Sequence, residues 1–470
     1  MRLKRIVTPI LVALAVTSCA TTTNETPDSM SLAKSAVVHV SAPKNIIMVV
    51  SDGMGPVYPT AYRYYQDDPN TQEIEETVFD RHLVGAASTY PAQVSNRVTD
   101  SAAGATALSC GIKTYNGAIG VDENKQPCET VLEYAKKQGL KTGAVVTSQI
   151  NHATPAGYLA HNESRRNYNE IADSYLDDGI KADVLFGGGW KYFIREDRNL
   201  VEEFQNNGFH YIDNYQDLAT LPKDKPVLGL FDNVGLPWAI DDTNSQRLST
   251  MTKAAISQLS NDNGFFMLVE ASQVDWAGHA NDINAAMAEM HDLAVTMEYL
   301  EQYVAQNPDT LVILTADHST GGLTLGVDGK YEWNPELLRN IKHSSQYIAS
   351  TLVKQDITAT LTEQLMSFSL TEEELQSLQM AKQQSAEALF AYNQLSKNEK
   401  KQQRKPSLER PVFKAINKII DQRTTTGWTT GGHTGIDVPV YAFGSNKDMF
   451  TGKLDNTDIA KKIFKLLGKS

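Results

Sequence analysis

The chain has 470 residues, which is too long for one small module and fits either a large α/β enzyme or two to three domains. A hydrophobic fraction of 41% and a charged fraction of 21% describe an ordinary globular protein and exclude a disordered or fibrous one. The formal net charge of −13 argues against a nucleic-acid partner bound through a general basic surface. Three cysteines are too few for a disulfide-stapled miniprotein or a Cys-rich zinc module.

Residues 1–19 have the pattern of an export signal. Basic residues near the start precede an apolar stretch over 6–16 that is too short to span a bilayer comfortably. The stretch ends in Val-Thr-Ser-Cys19, which resembles the lipobox of bacterial lipoproteins and implies lipidation of Cys19. The alternative is a plain cleaved signal with an incidental cysteine. We therefore expect an exported protein, periplasmic or at the cell surface, and anchored to a bacterial membrane by lipid.

Residues 20–43 are rich in Thr, Ser, Asn and Pro and are predicted to form a flexible tether. Ala20, directly after the lipobox cysteine, favours the outer membrane. No second apolar stretch approaches membrane-spanning length, so residues 44–470 are expected to form a soluble domain. Because an exported chain meets an oxidising compartment, Cys110 and Cys128 could form a disulfide or remain two separate thiols.

Several continuous apolar runs, bounded by turn residues, predict buried strands of a mostly parallel sheet, with helical patterns between them. These runs cover 45–50, 142–146, 265–269 and 310–315. The alternation predicts a three-layer α/β/α sandwich around a large sheet. Ligands of such sheets collect at the carboxyl ends of the strands.

Three of these predicted strands are followed by a carboxylate, namely Asp52, Glu270 and Asp317. A single carboxylate at such a place is more often a helix cap or a turn residue. Three at one sheet edge would repel one another unless a multivalent cation lay between them. A metal cluster is therefore the simplest interpretation.

Three histidines strengthen this interpretation. His318 adjoins Asp317, His279 follows Asp275 by four residues, and His433 lies in the loop Gly-Gly-His-Thr-Gly. Mixed His and Asp ligands suit Zn²⁺, whereas an all-oxygen set of Asp, Glu and Thr suits Mg²⁺. Both kinds of ligand set are predicted here.

A candidate nucleophile and a candidate anion clamp lie between these ligands in the sequence. Ser101 is predicted at the N-terminus of a helix, where free N–H groups favour an anion, although serine is also common there as a simple cap. Beside zinc ligands it becomes a candidate nucleophile. Of the pair Arg165 and Arg166, one is a candidate phosphate clamp, and the alternative is a surface pair.

Together, these segments resemble the alkaline phosphatase family and occur in the order of its motifs. The motifs are Asp-Gly-Met-Gly from 52, Thr-Asp-Ser-Ala-Ala from 99, the glycine-rich stretch 111–122, His-Ala-Thr-Pro from 152, the Glu…Asp…His segment 270–279, Thr-Ala-Asp-His from 315 and Gly-His-Thr-Gly from 432. The resemblance spans about residues 44–325 and resumes at about 427. It implies hydrolysis of phosphate monoesters, with a broad substrate range, through a phosphoserine intermediate at a site with two zinc ions and one magnesium ion.

The resemblance also implies a role for each matching residue. Ser101 would be the nucleophile and Arg165 the phosphate clamp, with Arg166 as the second candidate. The implied metal ligands are Asp275, His279 and His433 on one zinc, Asp317 and His318 on the other, Asp52 as a bridge to magnesium, and Thr154 and Glu270 on magnesium.

Two positions depart from the best-known bacterial pattern, because His152 stands where Asp is frequent and Trp276 where Lys is frequent. We therefore expect weaker magnesium retention or zinc at the third site.

A further departure is a stretch at about 326–426, which is expected to be a peripheral lobe and a dimer arm, giving a homodimer; the alternative is a monomer with a peripheral lobe. Rival functions are a phosphodiesterase or sulfatase on the same scaffold and a non-catalytic metal- or phosphate-binding lipoprotein.

Overall fold

A ten-stranded sheet lies at the centre of the structure, a computed structural model that describes residues 42–469. The signal segment, Cys19 and nearly all of the predicted tether lie outside these residues. Across the sheet the strands follow the order β14 (Gly452–Asp455), β2 (Leu83–Ser88), β13 (Val438–Gly444), β8 (Thr310–Thr315), β1 (Asn45–Ser51), β7 (Phe265–Ala271), β3 (Lys141–Gln149), β4 (Val184–Gly188), β6 (Val227–Leu230) and β5 (His210–Ile212).

Every neighbouring pair in this sheet is parallel except the two that involve β13, which runs antiparallel to both β2 and β8. The central strands are buried along their whole length, which explains why they read as unbroken apolar runs. Two small antiparallel sheets lie outside the large one: β9 (Ser319–Thr320) pairs with β12 (His433–Thr434), and β10 (Leu323–Leu325) pairs with β11 (Thr426–Trp428).

Helices cover both faces of the large sheet. Within residues 42–469 they are α1 (Val57–Gln66), α2 (Val78–His82), α3 (Ser101–Cys110), α4 (Val131–Lys137), α5 (Ala153–Leu159), α6 (Tyr168–Asp177), α7 (Trp190–Phe193), α8 (Leu200–Asn206), α9 (Arg247–Leu259), α10 (Gln273–Ala280), α11 (Ile283–Gln306), α12 (Glu336–Asn340), α13 (Ser345–Leu352), α14 (Ala359–Met366), α15 (Glu372–Gln394), α16 (Lys397–Gln402), α17 (Glu409–Thr424) and α18 (Asn456–Leu466). Short 3₁₀ turns occupy Gln93–Ser95, Tyr215–Thr220 and Lys447–Phe450.

The helices form two groups, and each group packs on the sheet. Helices α9 and α11 contact each other and strands β3, β7 and β8, whereas α3, α4, α5 and α18 contact one another and strands β3 and β7. The predicted three-layer α/β/α architecture around a mostly parallel sheet is therefore confirmed. One detail differs from the expectation: Glu270 lies inside β7 and not after it. The strand extends this far because β1 and β3 still provide hydrogen-bond partners for its backbone on both sides.

The segment predicted as a peripheral lobe contains α12 to α17. Helix α17 packs on α11, α13, α15 and β11, and it connects the exposed helix α15 to the body of the protein. The limits of an insertion at about 326–426, and its role as a dimer arm, stay predictions. A disulfide joins Cys110 and Cys128, which decides between the two alternatives left open by the sequence. Among residues 42–469, no helix is both long and apolar enough to cross a membrane.

Candidate metal centre and active site

The three carboxylates that the sequence singled out lie at one edge of the sheet. Their strands β8, β1 and β7 are direct neighbours, and Val50 of β1 is in register with Glu270 on one side and with Thr315 on the other. Asp52 and Asp317 each follow those positions by two residues, so these two acids lie level with each other, and Glu270 lies two residues earlier at the same edge. Each of the three is completely buried. Buried carboxylates that lie close together destabilise the fold unless a cation neutralises their charge or they bind a proton.

The first candidate metal group consists of Asp275, His279 and His433. Helix α10 places Asp275 and His279 one turn apart, and pairing of β12 with β9 brings His433 to them from the other end of the chain. The Nε2 atoms of the two histidines are 3.1 Å apart. His279 Nε2 is 3.4 Å from Asp275 Oδ2, and His433 Nε2 is 3.7 Å from Asp275 Oδ1.

Backbone contacts set the orientation of both imidazoles in this group. Nδ1 of His279 is 2.7 Å from the Gly431 carbonyl, and Nδ1 of His433 is 2.9 Å from the Thr99 carbonyl. Because a carbonyl only accepts, each Nδ1 carries the donated hydrogen, and in the neutral ring Nε2 is left as a lone pair. Two lone pairs that point at each other beside a carboxylate repel one another. A cation removes this conflict, so the geometry fits a metal ion.

The second candidate metal group consists of Asp52, Asp317 and His318. Nε2 of His318 is 3.3 Å from Asp52 Oδ1 and 3.4 Å from Asp317 Oδ2. Among the described residues, neither oxygen of Asp52 has a hydrogen-bond partner, and Oδ2 of Asp317 has none either. Burial and then the neighbouring carboxylates raise the pKa of Asp52 well above its usual range. Buried oxygens without donors are what a divalent cation would satisfy.

Asp52 also belongs to a third group, together with His152 and Glu270. Oε1 of Glu270, Nδ1 of His152 and Oγ1 of Thr154 are all buried and lack a hydrogen-bond partner among residues 42–469. Burial raises the pKa of Glu270 to about 7. Burial, and secondarily the Arg165 charge, lowers the pKa of His152 to about 3, which keeps the imidazole neutral and able to bind a metal. His152, predicted only as a modulator of the site, therefore has the position of a ligand.

Ser101 is the first residue of α3, and its side chain is buried among these groups. Its Oγ lies 3.1 Å from Nε2 of His318. The preceding residue, Asp100, caps the helix by accepting a hydrogen bond of 3.0 Å from the Ala103 N–H. Gly104 permits the close approach of α3 to the metal groups, because a Cβ there would lie 2.9 Å from the Asp317 Cβ. The position of Ser101 thus depends on the start of a helix that packs against the second group.

The structure separates the two arginine candidates. Arg165 points to the site: Nη1 donates to Asp100 Oδ2 at 3.1 Å, and Nη2 is 3.4 Å from His152 Nε2. Arg166 is exposed and shows no side-chain partner among the described residues. Trp276 contacts His152 edge to face, with ring centroids 5.9 Å apart. Arg165 is therefore the arginine placed to bind an anion beside Ser101.

Sequence reasoning missed two residues that hold this site together. Thr320 contacts both the first and the second group, because its Oγ1 lies 2.5 Å from Asp275 Oδ1 and 3.2 Å from His318 Nδ1. Asp100 both caps α3 and fixes Arg165. Asp100 directly precedes Ser101, and Thr320 follows His318 by two residues, but a hydroxyl or a carboxylate near a motif is too common to identify its partner from the sequence alone.

Comparisons with known proteins agree with this geometry. The sequence model of the family described as alkaline phosphatase matches residues 43–469. Alkaline phosphatase 3 of Bacillus subtilis is 45% identical over 90% of this chain and 89% of its own. The crystal structure of a cold-active alkaline phosphatase from a psychrophilic Shewanella superposes with a TM-score of 0.82 at 48% identity, covering 90% of this chain and all of the other.

A third relative is more distant in sequence. A mutant of the TAB5 alkaline phosphatase, with a histidine replaced by glutamate and Mg bound in its M3 site, is 27% identical, with a TM-score of 0.65 and coverage of 91% and 99% of the two chains. The family match, the close relatives and the clustered metal-binding groups point to the same conclusion. The chain belongs to the alkaline phosphatase family, which comprises metal-dependent hydrolases of phosphate monoesters.

Proposed function

We propose that this enzyme hydrolyses a broad range of phosphate monoesters through a phosphoserine at Ser101, with two zinc ions and a third ion that is magnesium or zinc. The observation that carries the proposal is the position of Ser101 Oγ, 3.1 Å from His318 Nε2 and at the N-terminus of α3. A serine hydroxyl there lies beside the second candidate metal group, which shares Asp52 with the third. Metal coordination can activate such a hydroxyl, and His318, used as a metal ligand, would not be free to act as its general base.

The assignment of ions follows the donor atoms. Imidazole nitrogens with carboxylates suit zinc, and oxygen donors suit magnesium. The proposed zinc ligands are Asp275, His279 and His433 for one ion and Asp52, Asp317 and His318 for the other. The proposed ligands of the third ion are Asp52, Thr154 and Glu270, with His152 as an additional ligand that would favour zinc there.

The bound cations would lower the pKa of the Ser101 hydroxyl and offset negative charge on the leaving oxygen. Ser101 Oγ forms a bond to phosphorus while the ester P–O bond breaks, and the alcohol leaves with a proton. Water then breaks the Oγ–P bond, which releases inorganic phosphate and restores the serine. The Arg165 guanidinium donates to two nonbridging oxygens, and the free N–H groups at the start of α3 favour the same anion.

The test is turnover of p-nitrophenyl phosphate at alkaline pH by the zinc- and magnesium-loaded enzyme, by the chelated enzyme and by Ser101→Ala. Ser174→Ala, on α6 and outside the site, is the matched control and should keep full activity. Rapid acid quenching and mass spectrometry should find phosphate on the peptide that contains Ser101 in the wild type and in the control. Activity that survives both chelation and Ser101→Ala would falsify the proposal.

We also propose export, lipid anchoring through Cys19 and a homodimer. The basic and apolar start of the sequence supports export, and the Cys110–Cys128 disulfide fits an oxidising compartment. Labelling of cells with a fatty-acid analogue should mark the wild type but not Cys19→Ala, and an unlabelled wild type would contradict the anchor. Light scattering should give the mass of two chains, and the mass of one chain would contradict the dimer.

A further inference from the structure

A cavity of about 1100 Å³ adjoins the first metal group. His279 and Gly431 form part of its wall, and Trp428 and a face of α17 form another part. The side chain of His279 is 41% exposed, so the metal group is open on the side of this cavity. We call it the α17 cavity. The site chemistry proposed above uses none of its wall residues except His279.

Three of the cations that line the α17 cavity have no acidic partner among residues 42–469. Arg410, Lys414 and Lys418 recur every four residues on α17, which places them on one face of the helix, and all three line the cavity. None of them forms an ion pair with an acidic side chain of residues 42–469, although the chain as a whole carries a net charge of −13. Lys330 adds a fourth cation from a different segment, and its Nζ lies 3.9 Å from Glu332 Oε1. Unpaired like charges around one space repel one another, and a bound anion relieves that repulsion.

The acidic groups of the wall do not cancel this charge. They are Asp328 and Asp421. Asp421 accepts a hydrogen bond of 3.2 Å from Trp428 Nε1, and burial raises its pKa to about 8, so it is mostly uncharged at neutral pH. The three cations of α17 therefore face, at neutral pH, little more than one negative charge from the cavity wall.

We propose that the α17 cavity binds a second anionic group carried by the alcohol portion of the substrate, so that molecules with two phosphate groups on one carbon skeleton are preferred substrates. The inference rests on the proposed function, because it needs a phosphoryl group held at Ser101. The link is His279, which belongs both to the first metal group and to the cavity wall. A leaving alcohol near His279 has this cavity beside it, and its second phosphate would lie among Arg410, Lys414 and Lys418.

The test compares hexanediol bisphosphate with hexyl phosphate, which differ only in the second phosphate. We expect kcat/KM of the metal-loaded wild type for the bisphosphate to exceed that for the monophosphate at least fivefold, mainly through KM, and the advantage to shrink as salt is added. Lys414→Glu should remove most of the advantage and leave kcat/KM for hexyl phosphate within about twofold of the wild type. Lys401→Glu, on exposed helix α16 and not in the cavity wall, makes the same charge change and should keep the advantage.

A binding measurement separates affinity from turnover. Calorimetric titration of metal-loaded Ser101→Ala with hexanediol bisphosphate should give a lower Kd than with hexyl phosphate. Adding Lys414→Gln should remove the difference; this milder change guards against misfolding of the charge-reversed variant.

Equal kcat/KM for both esters in a wild type that hydrolyses hexyl phosphate would overturn this inference and leave the proposed function intact. Loss of the advantage in Lys401→Glu to the same extent as in Lys414→Glu would also overturn it, since the effect would then be one of overall charge. A loaded wild type that hydrolyses neither ester would overturn the proposed function and the inference together.

Discussion

The hydroxyl of Thr320 lies 2.5 Å from the carboxylate of Asp275 and joins the first metal group to the second. A hydroxyl has one hydrogen, and a carboxylate only accepts, so Thr320 donates to Asp275 and accepts from Nδ1–H of His318 at 3.2 Å. This fixes Nε2 of His318 as the free lone pair that faces Ser101 and Asp52. One threonine thus orients a ligand of each proposed zinc ion.

Thr320→Val should weaken metal retention, because it keeps the shape of the side chain and removes both hydrogen bonds. Loss of such a supporting contact costs about 10- to 100-fold in metal affinity or activity. Zinc content after dialysis against a weak chelator, together with kcat/KM, measures the effect. Thr320→Ser retains the hydroxyl and should behave as the wild type. A valine variant that holds zinc as tightly as the wild type would show that the contact is only structural.

Metal removal should make stability depend on pH in a defined direction. In the metal-free protein the pKa of Glu270 is raised from 4.5 to about 7, and those of Asp52 and Asp317 are raised as well. These acids make the folded state bind more protons than the unfolded state from about pH 4.5 upward, so they make stability fall as pH rises. The lowered pKa values of His152 and His318 oppose this effect below 6.5, so the fall should be clearest above that pH. Bound cations remove the penalty.

The measurement is thermal unfolding of the chelated and the metal-loaded protein between about pH 5 and pH 8. We expect the Tm difference between the two forms to widen with rising pH. Glu270→Gln cannot ionise and should flatten part of the dependence in the chelated protein. A chelated wild type whose Tm follows the same pH curve as the loaded enzyme would refute the metal assignment at these acids.

His152→Asp should increase magnesium retention at the third site. The imidazole of His152 lies with Asp52 and Glu270, and its replacement by a carboxylate makes the donor set all-oxygen, which magnesium prefers to zinc. The measurement is activity during titration of the chelated, zinc-reloaded enzyme with magnesium. His210→Asp, away from the site, serves as the control. Unchanged magnesium dependence of His152→Asp would argue against His152 as a ligand.

Arg165→Ala should lower kcat/KM for p-nitrophenyl phosphate by about 10- to 100-fold, because two charge-assisted hydrogen bonds to phosphoryl oxygens are lost. The inhibition constant of inorganic phosphate should rise in parallel. Arg166→Ala is the matched control, since Arg166 is exposed, and it should change neither constant by more than about twofold. A larger effect at Arg166 than at Arg165 would reverse the assignment of the clamp.

Removal of the Cys110–Cys128 disulfide should destabilise the protein by about 2–4 kcal/mol, because the bond closes the loop that follows α3. The same helix begins at Ser101. Denaturant unfolding of Cys110→Ser under oxidising conditions measures this. A reducing agent should bring the wild type to the same midpoint and leave the variant unchanged. Equal midpoints for oxidised wild type and variant would mean that the bond does not contribute.

The sequence alone predicted the sheet and singled out most of the residues that the structure brings together in the candidate site. Buried parallel strands lose water on both faces, so β1, β7 and β8 must be apolar throughout and are visible as runs. Polar residues at the ends of such runs, Asp52 and Asp317 among them, then stand out and can be matched to a family pattern.

Only the tertiary structure decided which residues meet. His279 and His433 are 154 positions apart, and they converge because β12 pairs with β9, a contact between distant segments that no local pattern encodes. The choice of Arg165 over Arg166 and the bridging role of Thr320 depend in the same way on which side chains the folded backbone brings within hydrogen-bond distance. Local composition can specify an element, but a site formed by distant segments requires the fold that joins them.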